Sequence, residues 1–182
     1  VDSECTMETW ITLDENRAHV RCRLINNRSD MTNYGAYGQE LPALYTAGAL
    51  YRLFTYTGSA PFTGDALTQI NSIGQAAWYN STENWSALVN DQNWGLGIFH
   101  PGANWTGGGF FREVAPPGVG GPQDANTGYI SPIHTEILDH DIVYEYEYTL
   151  ILGDLYNDIR SYAYAHAPDP RPNHVFSRDR QH

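Results

Sequence analysis

Apolar and polar positions alternate most strictly over Asp139–Leu152, DHDIVYEYEYTLIL. In an extended chain Tyr144, Tyr146, Tyr148, Leu150 and Leu152 fall on one side, and Val143, Glu145, Glu147, Thr149 and Ile151 on the other. A two-residue period built from aromatic and β-branched types predicts a long strand. One face is apolar; the other opens with two carboxylates and turns apolar near its end. Such a strand needs a sheet around it and a second layer over its tyrosines.

The same alternation predicts strands at Thr6–Leu13 and Arg17–Ile25, joined by the polar turn Asp14-Glu15-Asn16. A hairpin centred near Glu15 sets Cys22 opposite about Glu8. Asn26–Gly38 is rich in Asn, Asp, Ser and Gly, the residues that stop strands and tolerate unusual backbone angles. Pro42 keeps Gln39–Tyr45 from being a central strand. Tyr51–Thr57, Glu83–Val89, Gly95–His100 and Tyr129–Leu138 also read as extended, and Asn90–Asn93 as a turn. Asp65–Ile73 reads as one or two helical turns. Pro101–Gly128, with Gly107-Gly108-Gly109 and the Pro/Gly run 116–122, reads as a long surface loop. Leu155, Ile159 and Tyr162 recur at helical spacing behind Asp154, a good N-cap, so Asp154–Ala165 is expected to be a helix ended by Pro168, Pro170 and Pro172. These elements imply a mainly β fold class: an antiparallel β-sandwich with one short helix near the C-terminal end. Residues 1–182 are expected to form a single domain, with a piece of a longer chain as an alternative.

Composition narrows the setting. The formal charge of −11 disfavours nucleic-acid partners, and no apolar run is long enough for insertion into a membrane as a helix. Thirteen Tyr and five Trp against six Phe favour half-buried, partly polar aromatic surfaces. Four N-x-[ST] sequons, at Asn27, Asn80, Asn84 and Asn104, point to an extracellular glycoprotein. In that compartment Cys5 and Cys22 are expected to form a disulfide, although the hairpin register puts them a few residues out of opposition. All ten basic residues are Arg.

Three groups of residues carry candidate chemistry. His134, Glu136 and His140 share a parity on an extended chain, which suits first the polar entrance of a strand, then acid/base work, and last a bound metal. Glu40 stands on the rigid turn between Gly38 and Pro42, where it either projects into a cleft or satisfies nearby backbone. Glu40 with Glu136 is the carboxylate pair a glycosidase would need, and with His134 they make the candidate catalytic set. Trp78, Trp94 and Trp105 are candidate sugar-stacking residues, with core packing as the alternative, most of all for Trp94. Trp85 and Trp105 follow sequon asparagines directly, which places them at the surface over an attached sugar. No metal site and no cofactor are expected: the histidine spacing matches no zinc motif, and the glycine run lacks the Gly-Lys-Ser/Thr of a phosphate loop.

Tyr37-Gly-Gln-Glu-Leu-Pro-Ala-Leu-Tyr45, Trp94-Gly-Leu-Gly-Ile-Phe99, Thr127-Gly-Tyr-Ile130 and Tyr146–Gly153 together resemble a secreted, carbohydrate-associated β-sandwich of the galactose-mutarotase-like type. The resemblance implies His and Glu side chains working on a concave sheet face, with His134, Glu136 and Glu40 as counterparts. The expected function is therefore an extracellular domain that binds or processes a glycan or polysaccharide, as a hydrolase or lyase if it is an enzyme. The alternative is a structural glycoprotein, a homo-oligomer or a subunit of a surface or filamentous assembly.

Overall fold

The computed structural model describes residues 4–113 and 124–167, together with the backbone of a strand at 174–178. The Pro/Gly run, the three prolines after the helix and the last four residues lie outside the described residues. Thirteen strands appear in chain order: β1 (Cys5–Asp14), β2 (Arg17–Asn26), β3 (Tyr37–Glu40), β4 (Leu44–Ala47), β5 (Arg52–Thr55), β6 (Thr68–Ile70) and β7 (Ala77–Asn80) come first. After them come β8 (Trp85–Val89), β9 (Trp94–Phe99), β10 (Trp105–Phe111), β11 (Thr127–Glu136), β12 (Ile142–Asp154) and β13 (His174–Arg178). A π-helical stretch, Leu155–Arg160, runs into α1 (Ser161–Ala165).

The strictly alternating strand is β12, and it is central. It pairs with β2 over ten residues along one edge. Its other edge is shared, with β13 beside the first half and β9 beside the second. One eight-stranded antiparallel sheet results, ordered β1-β2-β12-β9-β8-β5-β6 with β13 on β12. The second sheet has five strands, ordered β3-β11-β10-β7 with β4 also on β11. Glu40 lies opposite Ile133 and Leu44 opposite Ile130, so four chain steps on the β3–β4 side face three on β11. One extra residue is absorbed at Leu41-Pro42-Ala43, where the Leu41–Pro42 peptide is cis and the edge strand bulges. Pro42 thus sits where a proline belongs, on an edge.

The two sheets face each other across a packed interior. Leu53, Leu88 and Ile98 of the larger sheet meet Tyr79 and Ile130 of the smaller. Tyr144 and Tyr146 pack with Val20 and Cys22, with Leu41 and Leu138 packed against them from the side of the smaller sheet. On β12 the inner face is therefore the tyrosine face. The opposite face turns apolar at Ile151, where the helical segment covers it: Leu155, Ile159, Tyr162 and Ala163 close over Phe54, Trp85, Ala87, Val89, Phe99 and Ile151. Gly97 permits that approach, since a Cβ there would lie 2.4 Å from Ile159 Cγ2. Asp154 caps the helical segment as its sequence position predicts, accepting from the backbone N–H of Tyr156 at 2.9 Å and Asn157 at 2.8 Å.

A buried ion pair fixes the corner where β7 of one sheet passes to β8 of the other. Glu83 is wholly buried, and Arg160 reaches it with Nε to Oε2 at 3.1 Å and Nη2 to Oε1 at 3.0 Å. Trp85 Nε1, the Phe62 backbone N–H and the Tyr164 hydroxyl donate to the same carboxylate. Arg160 is flanked by the rings of Tyr56 and Tyr164, 5.6 and 5.2 Å from their centroids. Burial alone raises a carboxyl pKa, but here the donors from Arg160, Trp85 and Phe62 outweigh it and hold Glu83 below the usual value.

Several expectations are corrected. Asp65–Ile73 contains no helix: pairing of β6 with β5, which sets Ile70 opposite Leu53, overrides a short helical period. Gly107-Gly108-Gly109 is the middle of β10, not loop; a Cβ at Gly107 would come within 2.8 Å of the Trp78 ring and one at Gly109 within 2.5 Å of the Gln75 carbonyl. Trp85, expected at the surface, is wholly buried beside Glu83. No disulfide joins Cys5 and Cys22. Cys5 lies opposite Asn26 and Cys22 opposite Thr9, so four positions, about 13 Å of strand, separate the two. The Cys5 thiol donates to Asn26 Oδ1 at 3.2 Å. The tail at His174–Arg178, expected as a polar end, adds a strand to β12.

Replacing Arg160 by Ala leaves Glu83 charged in a dry corner and is expected to cost about 3–5 kcal/mol in urea denaturation. Because the folded pKa of Glu83 is depressed, its contribution is present above the unfolded value of 4.5 and is lost as pH falls through the folded one. The Arg160→Ala variant is therefore expected to approach the wild type in stability at low pH.

Candidate functional site

The outward face of the smaller sheet is set by the register. Ile130 points into the sandwich, so on β11 Tyr129, Ser131, Ile133 and Thr135 point outward. Their partners across the strands share that face: Glu40 opposite Ile133, Gly38 opposite Thr135, Trp78 opposite Gly107, and Asn80 opposite Trp105. Trp78 and Trp105 are 54% and 46% exposed, high for indoles. Their rings lie nearly parallel, 8° apart, with centroids 6.3 Å apart. Gly107 makes this arrangement possible, because its missing side chain leaves the strand surface open for the Trp78 ring to lie on.

Gly38, Glu40, Trp78, Trp105, Ile133 and Thr135 enclose an open groove of about 390 Å³. Three of the residues singled out in the sequence thus meet in one place, and the described residues that line the groove include no basic side chain. Further along the same face Tyr129 packs between Tyr45 at 5.2 Å and Phe111 at 6.2 Å. Burial, with a further push from the Glu40 carboxylate, raises the Tyr129 phenol to about 12 against an opposing hydrogen bond to Ser131. Tyr129 therefore keeps its hydroxyl proton beside Glu40 at ordinary pH. The arrangement offers flat aromatic faces, one carboxylate and one hydroxyl, a set suited to binding a polyol ring.

His134 and Glu136 are not part of this groove. Both have the parity of Ile130 and point to the inner side of β11, His134 buried and Glu136 half-buried. Glu40 faces the other way, so the three do not converge and one side of the sheet cannot use them together. His140 lies beyond the end of β11 and contacts Asp141 at 3.0 Å. Asp139 is structural: its Oδ1 accepts from the Tyr34 backbone N–H at 2.7 Å, and its carbonyl accepts from Asn26 Nδ2 at 2.8 Å. Trp94 sits in the larger sheet, opposite Asp154, away from the groove. Among the described residues no group of three or more His, Cys, Asp or Glu is placed to hold a metal ion.

Three of the four sequon asparagines gather at the Trp105 end of the face. Asn80 opposes Trp105, Asn84 Nδ2 donates to Asn104 Oδ1 at 2.5 Å, and the Ser81 N–H donates to the Asn104 carbonyl at 2.7 Å. Asn27 lies elsewhere, exposed at the end of β2.

Sequence reasoning misses His100, which is wholly buried and donates Nδ1–H to the Ala103 carbonyl at 2.8 Å. Its Nε2 has no hydrogen-bond partner among the described residues. Burial lowers its pKa from 6.5 to about 3, aided by nearby His134 and opposed by the Ala103 bond. Only its place at the end of an alternating strand hints at this.

Two outcomes are expected from the geometry. A group whose folded pKa is depressed to about 3 is protonated only in the unfolded chain between that value and 6.5. His100 is therefore expected to lower stability by about 2 kcal/mol between pH 8 and pH 5, and His100→Gln to flatten that part of a denaturation profile. Gly107→Val is expected to displace the Trp78 ring and change the near-ultraviolet circular dichroism of the parallel indoles, with strand content unaltered in the far ultraviolet.

In comparisons with known proteins, no family model and no curated protein sequence matches the chain.

Proposed function

We propose that this chain is a carbohydrate-binding domain whose site is the outer face of the five-stranded sheet, and that it binds its glycan without turning it over. The observation that carries the reading is the pair of parallel, half-exposed indoles of Trp78 and Trp105 beside Glu40 in an open groove. Indole faces stack on the C–H face of a sugar ring, and the Glu40 carboxylate and Thr135 hydroxyl, both in the groove lining, offer an acceptor and a donor to ring hydroxyls. Turnover by hydrolysis needs a second carboxyl at about 5–9.5 Å, and among the described residues no second carboxylate lines the groove. A relation to galactose-mutarotase-like sandwiches belongs to the same proposal, with likeness of sequence texture as its support. So do an extracellular location and glycans on Asn27, Asn80, Asn84 and Asn104.

The alternative reading, a structural glycoprotein that assembles, has one observation in its favour. β1 is an edge strand of ten residues, and Met7, Ile11 and Leu13 on it are 50%, 61% and 76% exposed. Open apolar edges invite pairing. Light scattering on the purified chain distinguishes a monomer from an assembly.

Titration of the chain with oligosaccharides, read by tryptophan fluorescence, tests the main reading. Trp105→Ala is expected to weaken binding about five- to tenfold, the value of one lost stacking contact. Trp94→Ala is expected to leave it within twofold. Equal losses in both variants would count against the groove.

A further inference from the structure

We infer that the groove prefers glycans bearing a protonated amine over neutral or acidic ones. The inference rests on the glycan-binding reading and goes beyond it by naming the chemical class of the ligand. Among the described residues lining the groove, Glu40 is the single ionisable side chain, and no Arg or His joins it there. Two indole faces share the groove with that carboxylate, and an ammonium group is attracted by the negative face of an indole as well as by the carboxylate. Trp105, Ile133 and Glu40 are neighbours in one row across β10, β11 and β3, so a ring stacked on Trp105 meets Glu40 about two strand spacings, roughly 10 Å, away. A ligand of one or two sugar rings spans that distance. The field of the whole chain points the same way: a formal charge of −11 attracts a polycation and repels uronate or sulfate groups. Glu40 itself is exposed, so the pairing is modest and sensitive to salt.

The test compares three oligosaccharides of similar length, built from glucosamine, N-acetylglucosamine and galacturonate, by tryptophan fluorescence and calorimetry at low and at physiological salt. The glucosamine oligomer is expected to bind about fivefold more tightly than its N-acetylated counterpart, and the galacturonate oligomer least tightly. The preference is expected to shrink as salt rises. In Glu40→Gln, an exposed change that leaves the core untouched, the ratio of the first two affinities is expected to fall to about two, the remainder coming from the indole faces and the charge of the chain. Equal binding of the glucosamine and N-acetylglucosamine oligomers by the wild type would overturn the amine preference while leaving the glycan site standing. So would a preference that persists unchanged in Glu40→Gln. If none of the three binds, the preference and the glycan site fall together.

Discussion

Five donors converge on Glu83, and the relative placement of the layers depends on them. Glu83 occupies the short link between β7 of the smaller sheet and β8 of the larger, and its ion pair with Arg160 fastens the helical segment to the outside of that link. Phe62 and Tyr164 bring in the 59–64 loop, where the Gly64 N–H in turn donates to the Tyr164 hydroxyl at 2.9 Å. A charge in so dry a place is tolerable only because every donor is present, so the corner tends to form completely or not at all. The same link is tied on its other side: Ser81 bonds Asn104 and Thr106, Thr82 bonds Tyr56, and the His100 N–H donates to the Asn84 carbonyl. Held from both sides, β7 enters its sheet at a fixed angle, and Trp78 takes its position from that strand.

The candidate site is a product of that rigidity and of glycine. Trp78 and Trp105 stand on neighbouring strands, where two indoles would ordinarily rise from the sheet as separate ridges. Gly107 removes the obstacle between them, so one ring lies down on the strand surface parallel to the other. A sheet face that would otherwise shed water-exposed aromatics keeps them in a shallow, flat arrangement. The interior chemistry is of a different kind. His100 and His134 are buried between the sheets, where burial keeps His100 neutral and makes it a source of acid sensitivity, and neither faces the groove.

The strands are legible in the sequence wherever one face is apolar and the other polar. Alternation predicts β12, β1, β2 and β5, the two short runs either side of the Asn90–Asn93 turn read as β8 and β9, and local chemistry predicts the 14–16 turn and the Asp154 cap. Two failures share a cause, since both need knowledge of what lies across the sheet. The glycines of β10 read as loop because their role is to admit Trp78 and the Gln75 carbonyl, neither visible along the chain. The helical period in Asp65–Ile73 loses to an edge of β5. The cysteines fail for another reason: the register excludes the bond, whereas the sequon count argues only for a compartment. Of the site, Glu40, Trp78 and Trp105 stand out by residue type, but their convergence depends on the single-residue bulge at Leu41-Pro42-Ala43 and on the order of strands. The catalytic grouping of Glu40 with His134 and Glu136 comes apart on parity: one residue position reverses a side chain across a sheet. Glu83 and Arg160, 77 positions apart, give no signal at all.

The central claim is that Trp78 and Trp105 form the contact surface for a sugar. The chain has five tryptophans, so a nitrogen-15 correlation spectrum resolves five indole N–H signals, assignable by single substitutions. On adding a saturating glucosamine oligomer, the signals of Trp78 and Trp105 are expected to shift while those of Trp10, Trp85 and Trp94 stay in place. Shifts confined to Trp94 or Trp10, or no shift of any indole at saturation, would contradict the account.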